Sequence, residues 1–212
     1  DFFDKERLAE EVKNADAAIL MGDVDPCLLG ENRLQWIHCD HAGFNGSARP
    51  EVFARGIPVT GSAGRSAPVL AEHAIYFMLM SCYHTREMLK AQAECRWGVD
   101  GMNKWYGLYG RTAGIIGMGH NGKALADRLH ALGMNIIAYS NSPLEGYDYI
   151  TRKLSAKNGD TIQPLLEQSD FILLNVPLND STYHMINKES LAMCKTGAFL
   201  VNMARGGIVC TE

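Results

Sequence analysis

The chain has 212 residues, of which 47% are hydrophobic, and a formal net charge of -4. This length and composition suffice to bury one large core or two small ones. The slightly acidic balance, without a block of like charges, argues against nucleic acid or an anionic membrane as a partner and favours a small molecule.

The cysteines and apolar stretches favour a cytoplasmic protein. The longest strongly apolar stretch, AIYFMLM at 74–80, is too short to span a bilayer, and DFFDKER at 1–7 lacks the regions of a signal peptide. No two cysteines form a CxxC pair or stand at zinc-ligand spacing from a histidine, so we expect reduced, mostly buried thiols and no metal site. They are Cys27, Cys39, Cys82, Cys95, Cys194 and Cys210.

The first sixty residues alternate between helical and strand patterns. The composition predicts a helix at 4–15, strands at 16–22, 34–40 and 57–62, and a helix at 49–56. Such alternation predicts a parallel sheet.

A long helix is predicted from Ala67 to about Trp97, because the only internal breaker is Pro68, which suits a first helical turn. Its first half is apolar nearly all round, which is typical of a helix buried between two bodies, so we expect a domain connector. The segment 99–111, rich in glycine and aromatic residues, is predicted to be a loop.

The second half of the chain alternates more regularly. We predict strands at 112–117, 134–140, 171–177 and 198–204, with helices at 120–132, 162–168 and 188–193. This order predicts a doubly wound α/β domain.

A GxGxxG sequence, GMGHNG at 117–122, joins the first of these strands to its helix. Gly117 permits the tight turn, Gly119 lets the backbone approach a pyrophosphate, and Gly122 lets the helix lie close to the strand. The helix N-terminus, with His120 and Asn121 in its first turn, offers N–H groups to phosphates. A tight turn without a ligand is the alternative, but the flanking strand and helix favour a dinucleotide site.

The end of the next strand bears on the choice of cofactor. A site for NAD usually has an acid there that binds the adenosine ribose and repels a 2′-phosphate, whereas this chain has Ser140. Asn141 and Ser142 can donate hydrogen bonds to phosphate oxygens. We therefore expect NAD(P), with NADPH accepted at least as well as NADH. The nearest basic residues reach the site only if the following loop folds back; they are Arg152, Lys153 and Lys157.

Four segments in this order resemble the D-isomer-specific 2-hydroxyacid dehydrogenases. AEHAIYFML is similar to their interdomain helix, GIIGMGHNG to their dinucleotide loop, SDFILLNVPLNDSTYHMIN to their long signature, and GAFLVNMARGG to their catalytic arginine segment. The resemblance covers most of the chain. It implies a flavodoxin-like substrate domain at 1–90, ending in the interdomain helix, and a Rossmann-type NAD(P)-binding domain at 91–212, both incomplete.

The implied reaction is hydride transfer between NAD(P)H and a small 2-keto or 2-hydroxy acid. Arg205 matches the family arginine, whose planar fork can hold a substrate carboxylate and polarise the keto oxygen. DHAGFNG at 40–46 resembles the loop whose amides meet that carboxylate, which makes Ala42 and Gly43 candidates. His41 in the same loop is more simply interpreted as structural or solvated.

Further candidates follow from the same resemblance. Val176 and Pro177 match the turn that lines the nicotinamide ribose, although a strand that simply ends at proline is the plain alternative. Ala204 is assigned to the cofactor site. For Arg205 the alternative is an arginine that pairs with a surface acid.

The resemblance implies a catalytic glutamate and then a histidine beyond the arginine, and we assign neither role within the seven residues that follow Arg205. Glu212 is interpreted as a first-turn acid of a following helix. We therefore expect a chain truncated at both ends, so the predicted activity concerns its parent protein. The alternative function is an NAD(H)-sensing binding module of the same fold.

We also predict a homodimer built around the helix from Ala67 and the aromatic loop from Trp97 to Tyr109.

Overall fold

The computed structural model describes residues 4–211, so the predictions that fall on residues 1–3 and on Glu212 lie outside it. Packing divides the chain into one unit that ends at Arg65 and a second that begins at Ser66. The expected α/β class with parallel sheets is confirmed.

The first unit contains a three-stranded parallel sheet in the order β1-β2-β3. Ile37 and Cys39 of the central strand are buried together with Leu28, which lies on a short 3-10 helix at Pro26–Leu29. The elements are α1 (Lys5–Glu11), β1 (Ala17–Leu20), β2 (Trp36–Cys39), α2 (Pro50–Ala54) and β3 (Val59–Gly61).

The second unit contains a five-stranded parallel sheet in the order β6-β5-β4-β7-β8. The chain leaves β6 at one edge and crosses to β7 on the other side of β4, so the strand order reverses between β4 and β7. This is the Rossmann order, and ligands bind at such a reversal, beside the carboxyl ends of the strands. The elements are α3 (Ala67–Cys82), α4 (Thr85–Ala93), β4 (Thr112–Ile116), α5 (His120–Ala131), β5 (Asn135–Ser140), β6 (Arg152–Ser155), α6 (Gln163–Gln168), β7 (Phe171–Leu174), α7 (Lys188–Ala192) and β8 (Phe199–Asn202).

Helices cover both faces of this sheet. Successive residues of β4 point to opposite faces, so Ile115 packs in a core that includes Met78 of α3, and Ile116 packs in a second core that includes Leu165 of α6. Every residue of β7 is buried, as expected for a strand covered on both faces.

Helix α3 packs against α5 within the second unit. The unit boundary therefore lies before α3, between Arg65 and Ser66, whereas the predicted boundary follows residue 90. The residues that made α3 look like a connector, such as Ala74 and Met78, are buried in the core of the second unit.

The predicted helix from Ala67 to Trp97 was wrong in its length. It is broken at His84, which has a left-handed backbone conformation with φ +44° and stacks on Trp105 at 5.0 Å between ring centroids.

Strand β6 lies in a segment expected to be a loop. None of the helices within residues 4–211 is long and apolar enough to cross a membrane.

Candidate functional site

The turn after β4 is tightly packed against the loop after β7. Gly117 has φ +100°, and its N–H donates to the carbonyl oxygen of Tyr139 at 2.8 Å. A Cβ atom built on Gly117 would lie 2.7 Å from the backbone carbonyl of Asn175. Both the conformation and the close approach therefore require glycine at this position.

The other two glycines of the turn have different surroundings. A Cβ atom on Gly122 would lie 2.0 Å from the carbonyl oxygen of Gly117, so Gly122 allows α5 to approach the strand. A Cβ atom on Gly119 would meet nothing within 4 Å, so its backbone borders open space. Gly119 thus leaves room for a ligand, whereas Gly122 is needed for packing.

Helix α5 begins at His120 and carries no acidic residue in its first turn. Its N-cap is Gly119, and in the described part of the chain no side chain caps it with a hydrogen bond. The first N–H groups, including those of Asn121 and Gly122, are therefore suited to an anion such as a pyrophosphate.

A cavity of about 390 Å³ opens beside this helix end. It collects segments that follow β4, β5 and β7, which is where the strand order reverses. Seven predicted cofactor residues line it: Gly117, Gly119, Ser140, Asn141, Ser142, Val176 and Pro177. Six residues that we did not predict complete the lining: Met118, Lys123, Tyr139, Pro143, Leu144 and Asn175. Lys123 is the one charged side chain among these lining residues, so the cavity favours an anionic ligand.

The turn after β5 has no carboxylate in the cavity. The Ser140 hydroxyl donates to the carbonyl oxygen of Ser142 at 2.5 Å. The carbonyl oxygen of Asn141 accepts hydrogen bonds from the Lys157 N–H at 3.0 Å and from the Ser155 hydroxyl at 3.2 Å. The end of β6 therefore lies directly beside this turn.

Thr182 fixes the turn that contains Pro177. Its buried hydroxyl donates to the Pro177 carbonyl oxygen at 2.6 Å and accepts from the Asn179 N–H at 2.9 Å. Sequence reasoning missed Thr182, although Asn-Asp-Ser-Thr is a typical turn composition.

Arg205 lies just after β8, and Ala204 precedes it. The Asn202 side chain donates to the Arg205 carbonyl oxygen at 2.9 Å and accepts from the Ala204 N–H at 3.0 Å. Asn202 therefore fixes the backbone from which the Arg205 side chain projects. Sequence reasoning missed Asn202, although an asparagine that bonds to nearby backbone is the local signal for such a turn. Neither Ala204 nor Arg205 lines the cavity.

Ala42 and Gly43 belong to the loop after β2 in the first unit. Gly43 has φ +94°, and the neighbouring His41 carbonyl oxygen accepts from the Ser62 N–H at 3.1 Å. The His41 ring lies 3.5 Å from a carboxylate oxygen of Asp23 and 3.5 Å from one of Asp40. These contacts fit the interpretation of His41 as a structural residue.

All six cysteines are free thiols. Burial raises the pKa of Cys39, Cys82 and Cys194 above the usual value of a thiol, which disfavours thiolate chemistry at neutral pH. The expectation that most of the thiols are buried was wrong: Cys39 and Cys82 are buried, whereas Cys27, Cys194 and Cys210 are half-buried and Cys95 is exposed.

Residues 75–212 match the model of a protein family described as D-isomer specific 2-hydroxyacid dehydrogenase, NAD binding domain. The chain belongs to this family. The match runs from within α3 to the end of the chain, so the cavity lies inside the part of the chain that matches the NAD binding domain.

Two relatives support the assignment. A glyoxylate reductase of Pyrococcus furiosus is 35% identical over 223 residues, which cover 98% of this chain and 63% of that protein. A hydroxypyruvate reductase of Thermotoga maritima is 38% identical over 164 residues, which cover 74% of this chain and 49% of that protein. The chain therefore spans less than two thirds of the length of these relatives.

A solved structure also resembles this chain. The D-lactate dehydrogenase of Aquifex aeolicus, complexed with NAD and lactic acid, matches with a TM-score of 0.77 and 27% identity. The alignment covers 95% of this chain and 60% of that one.

Proposed function

We propose that the complete protein transfers a hydride between NAD(P)H and a small 2-keto or 2-hydroxy acid. The observation that carries this proposal is the cavity at the strand-order reversal, which adjoins the uncapped N-terminus of α5 and has no carboxylate in its lining. The relatives are named as glyoxylate and hydroxypyruvate reductases, which points to substrates of this class. The alternative of a non-catalytic NAD(H) sensor gains no support from these relatives.

The chemistry of the cavity suits a dinucleotide. The open space at Gly119 lets a pyrophosphate approach the N–H groups of His120 and Asn121, and Gly122 keeps the helix end in place. The turn at Ser140 would bind the adenosine ribose, and Val176 and Pro177 would line the nicotinamide side. When bound, the cofactor supplies or accepts the hydride.

Arg205 is assigned to the substrate. Its guanidinium would hold the carboxylate of the acid through two hydrogen bonds and stabilise charge that develops on the keto oxygen. Asn202 positions the arginine through the Arg205 carbonyl oxygen. Ala42 and Gly43 of the first unit stay candidates for backbone hydrogen bonds to the substrate, and Ala204 would border the cofactor.

NADPH is expected to bind at least as well as NADH. The support is chemical, because the position that would hold the NAD-selective acid is Ser140, and its hydroxyl donates to the neighbouring Ser142 carbonyl oxygen. A 2′-phosphate would therefore meet no carboxylate in this turn.

A cytoplasmic location also stays a prediction, which the free cysteines support.

We further infer a homodimer through the surface of α3, α4 and the following loop. Large apolar side chains are concentrated there, and a groove of about 410 Å³ between α3 and α4 includes Tyr76, Tyr83 and Leu89. Trp97 is 102% exposed and Tyr109 is 86% exposed. A monomer rarely leaves so many apolar groups together in water, which favours a second copy as the occupant.

The experiment is to titrate the complete protein with NADH and NADPH and then to follow oxidation of each with glyoxylate, hydroxypyruvate or pyruvate. We expect binding of both cofactors and turnover with at least one of these keto acids. Binding without turnover would favour the sensor, and absence of cofactor binding would overturn the proposal altogether.

A further inference from the structure

Of the basic residues after the β5 turn, Arg152 and Lys153 lie on strand β6 and Lys157 lies just beyond its end. Strands β5 and β6 pair in parallel, with Ser140 opposite Ser155 and Ile137 opposite Arg152. The two strands thus end at the same level, and the residues after them lie side by side. Arg152 stands three residues before this edge, about 10 Å away along the strand.

Lys157 is held at the edge itself. Its N–H donates to the Asn141 carbonyl oxygen at 3.0 Å, and the Ser155 hydroxyl donates to the same oxygen at 3.2 Å. The Lys157 backbone is therefore fixed against the turn that would bind the adenosine ribose. The side chain is exposed, and its four-carbon stem can extend over this turn.

Of the two lysines in the segment after this turn, Lys153 and Lys157, the charges favour Lys157 as the cation for a phosphate. Within residues 4–211 the ammonium group of Lys157 makes no salt bridge, whereas that of Lys153 donates to the carbonyl oxygen of Gly146. The nearby carboxylate of Asp160 accepts the Ser155 N–H at 2.9 Å, which ties it to the backbone.

We propose that Lys157, together with Asn141 and Ser142, forms the site that binds the 2′-phosphate of NADPH. This inference rests on the proposed dinucleotide function of the cavity. In an NADP site a cation near the end of the second strand replaces the acid of an NAD site. In this protein the cation would be Lys157, which follows β6. The hydrogen bond from its backbone N–H to the Asn141 carbonyl oxygen holds it beside the turn that follows β5.

The test uses adenosine 2′,5′-bisphosphate and 5′-AMP as probes, because they differ only in the 2′-phosphate and need no catalysis. The affinities are measured by isothermal titration calorimetry of the complete protein. Lys157→Gln should weaken binding of the bisphosphate about tenfold, because one charged contact is lost, and should leave 5′-AMP binding unchanged. Lys157→Arg should keep most of the bisphosphate affinity. Lys153→Gln is the matched control from the same segment and should leave both affinities as in the wild type.

The outcomes separate this inference from the proposed function. Equal bisphosphate affinity in Lys157→Gln and the wild type would overturn the role of Lys157 while the cofactor site stands. An equal loss in Lys153→Gln would also overturn it, because the effect would then be a general one of charge. If the wild type binds NADH but neither NADPH nor the bisphosphate, the 2′-phosphate site is absent. If it binds no nucleotide at all, the dinucleotide function fails as well. Thermal melting of each variant checks that the exposed substitutions leave the fold intact.

Discussion

Replacement of Arg205 should separate substrate chemistry from cofactor binding. Arg205→Lys keeps a positive charge but loses the planar fork that would hold a carboxylate at two points. We expect kcat/KM of the complete protein to fall about 100-fold, equivalent to a few kcal/mol, while the Kd of the reduced cofactor stays the same. Steady-state kinetics and cofactor titration measure the two quantities. Near-normal kcat/KM would remove Arg205 from the site.

Ser140 is the residue at which the cofactor preference should be reversible. Ser140→Asp introduces a carboxylate that can accept hydrogen bonds from the ribose and repel a 2′-phosphate. The preference should shift toward NADH by about ten- to a hundredfold, or ~1.5–3 kcal/mol. Titration of both reduced cofactors into the wild type and the variant measures the shift. A wild type that already binds NADH tenfold tighter than NADPH would contradict our interpretation of Ser140.

At the scale of elements, the turn between β4 and α5 offers a matched pair of glycine substitutions. Gly122→Ala places a methyl group against the Gly117 carbonyl oxygen and should lower the free energy of unfolding by about 1–3 kcal/mol. Gly119→Ala meets open space at an ordinary backbone conformation, with φ -74°, and should fold as the wild type does but bind NADH and NADPH more weakly. Denaturant unfolding and cofactor titration compare the two. Wild-type cofactor affinity in a folded Gly119→Ala protein would contradict the position of the pyrophosphate.

Helix α5 is tied to the loop before β6 by Tyr149, whose hydroxyl donates to the Asp127 carboxylate. The Tyr149 ring also stacks on His130 at 4.2 Å between ring centroids and contacts Tyr147. Burial, and then the hydrogen bond to Asp127, raise the pKa of Tyr149 well above its usual value. The folded state therefore holds the phenol proton more tightly than the unfolded chain does.

The stabilisation from Tyr149 is complete below its unfolded pKa of about 10 and is lost as the pH rises above that value. Tyr149→Phe should be less stable than the wild type by about 1 kcal/mol at neutral pH, and this difference should shrink in alkaline solution. Urea unfolding at neutral pH and above pH ~10 gives both values. A difference that grows with pH would contradict the pKa direction.

The helices, strands and turns that were predicted correctly are those marked by a pattern within a short stretch of sequence. Gly117, Gly119 and Gly122 mark the turn between β4 and α5, and the apolar strands β4, β5 and β7 were recognised because both of their faces are buried. Strand β6 was missed because its sequence RKLS is polar at the exposed start, as suits the edge of a sheet. The break at His84 depends on a left-handed residue that is not glycine and on a ring stacked from a distant loop, which no local pattern reports. The position of Lys157 beside the β5 turn likewise depends on a backbone hydrogen bond that only the folded chain provides.

For the whole molecule, the exposed surface of α3 and α4 should hold two copies together. Leu89→Glu puts a charge into the groove beside Tyr76 and Tyr83 and should convert a dimer into a monomer at micromolar concentration. Leu191→Glu is the control, because Leu191 is also an exposed helical leucine, at 46% against 58% for Leu89, but lies on α7. Light scattering of the complete protein measures the mass. A monomeric wild type would contradict the interface.

The configuration of the product decides whether the complete protein is a D-specific 2-hydroxyacid dehydrogenase, as we propose. Hydroxypyruvate is the appropriate substrate, because its reduction creates a chiral centre whereas reduction of glyoxylate does not. The reaction is run with NADPH and with NADH, and the glycerate is resolved by chiral chromatography. We predict D-glycerate, formed in proportion to the cofactor oxidised and strongly diminished in Arg205→Lys. L-glycerate, or cofactor binding without reduction of this or any other 2-keto acid, would contradict the account.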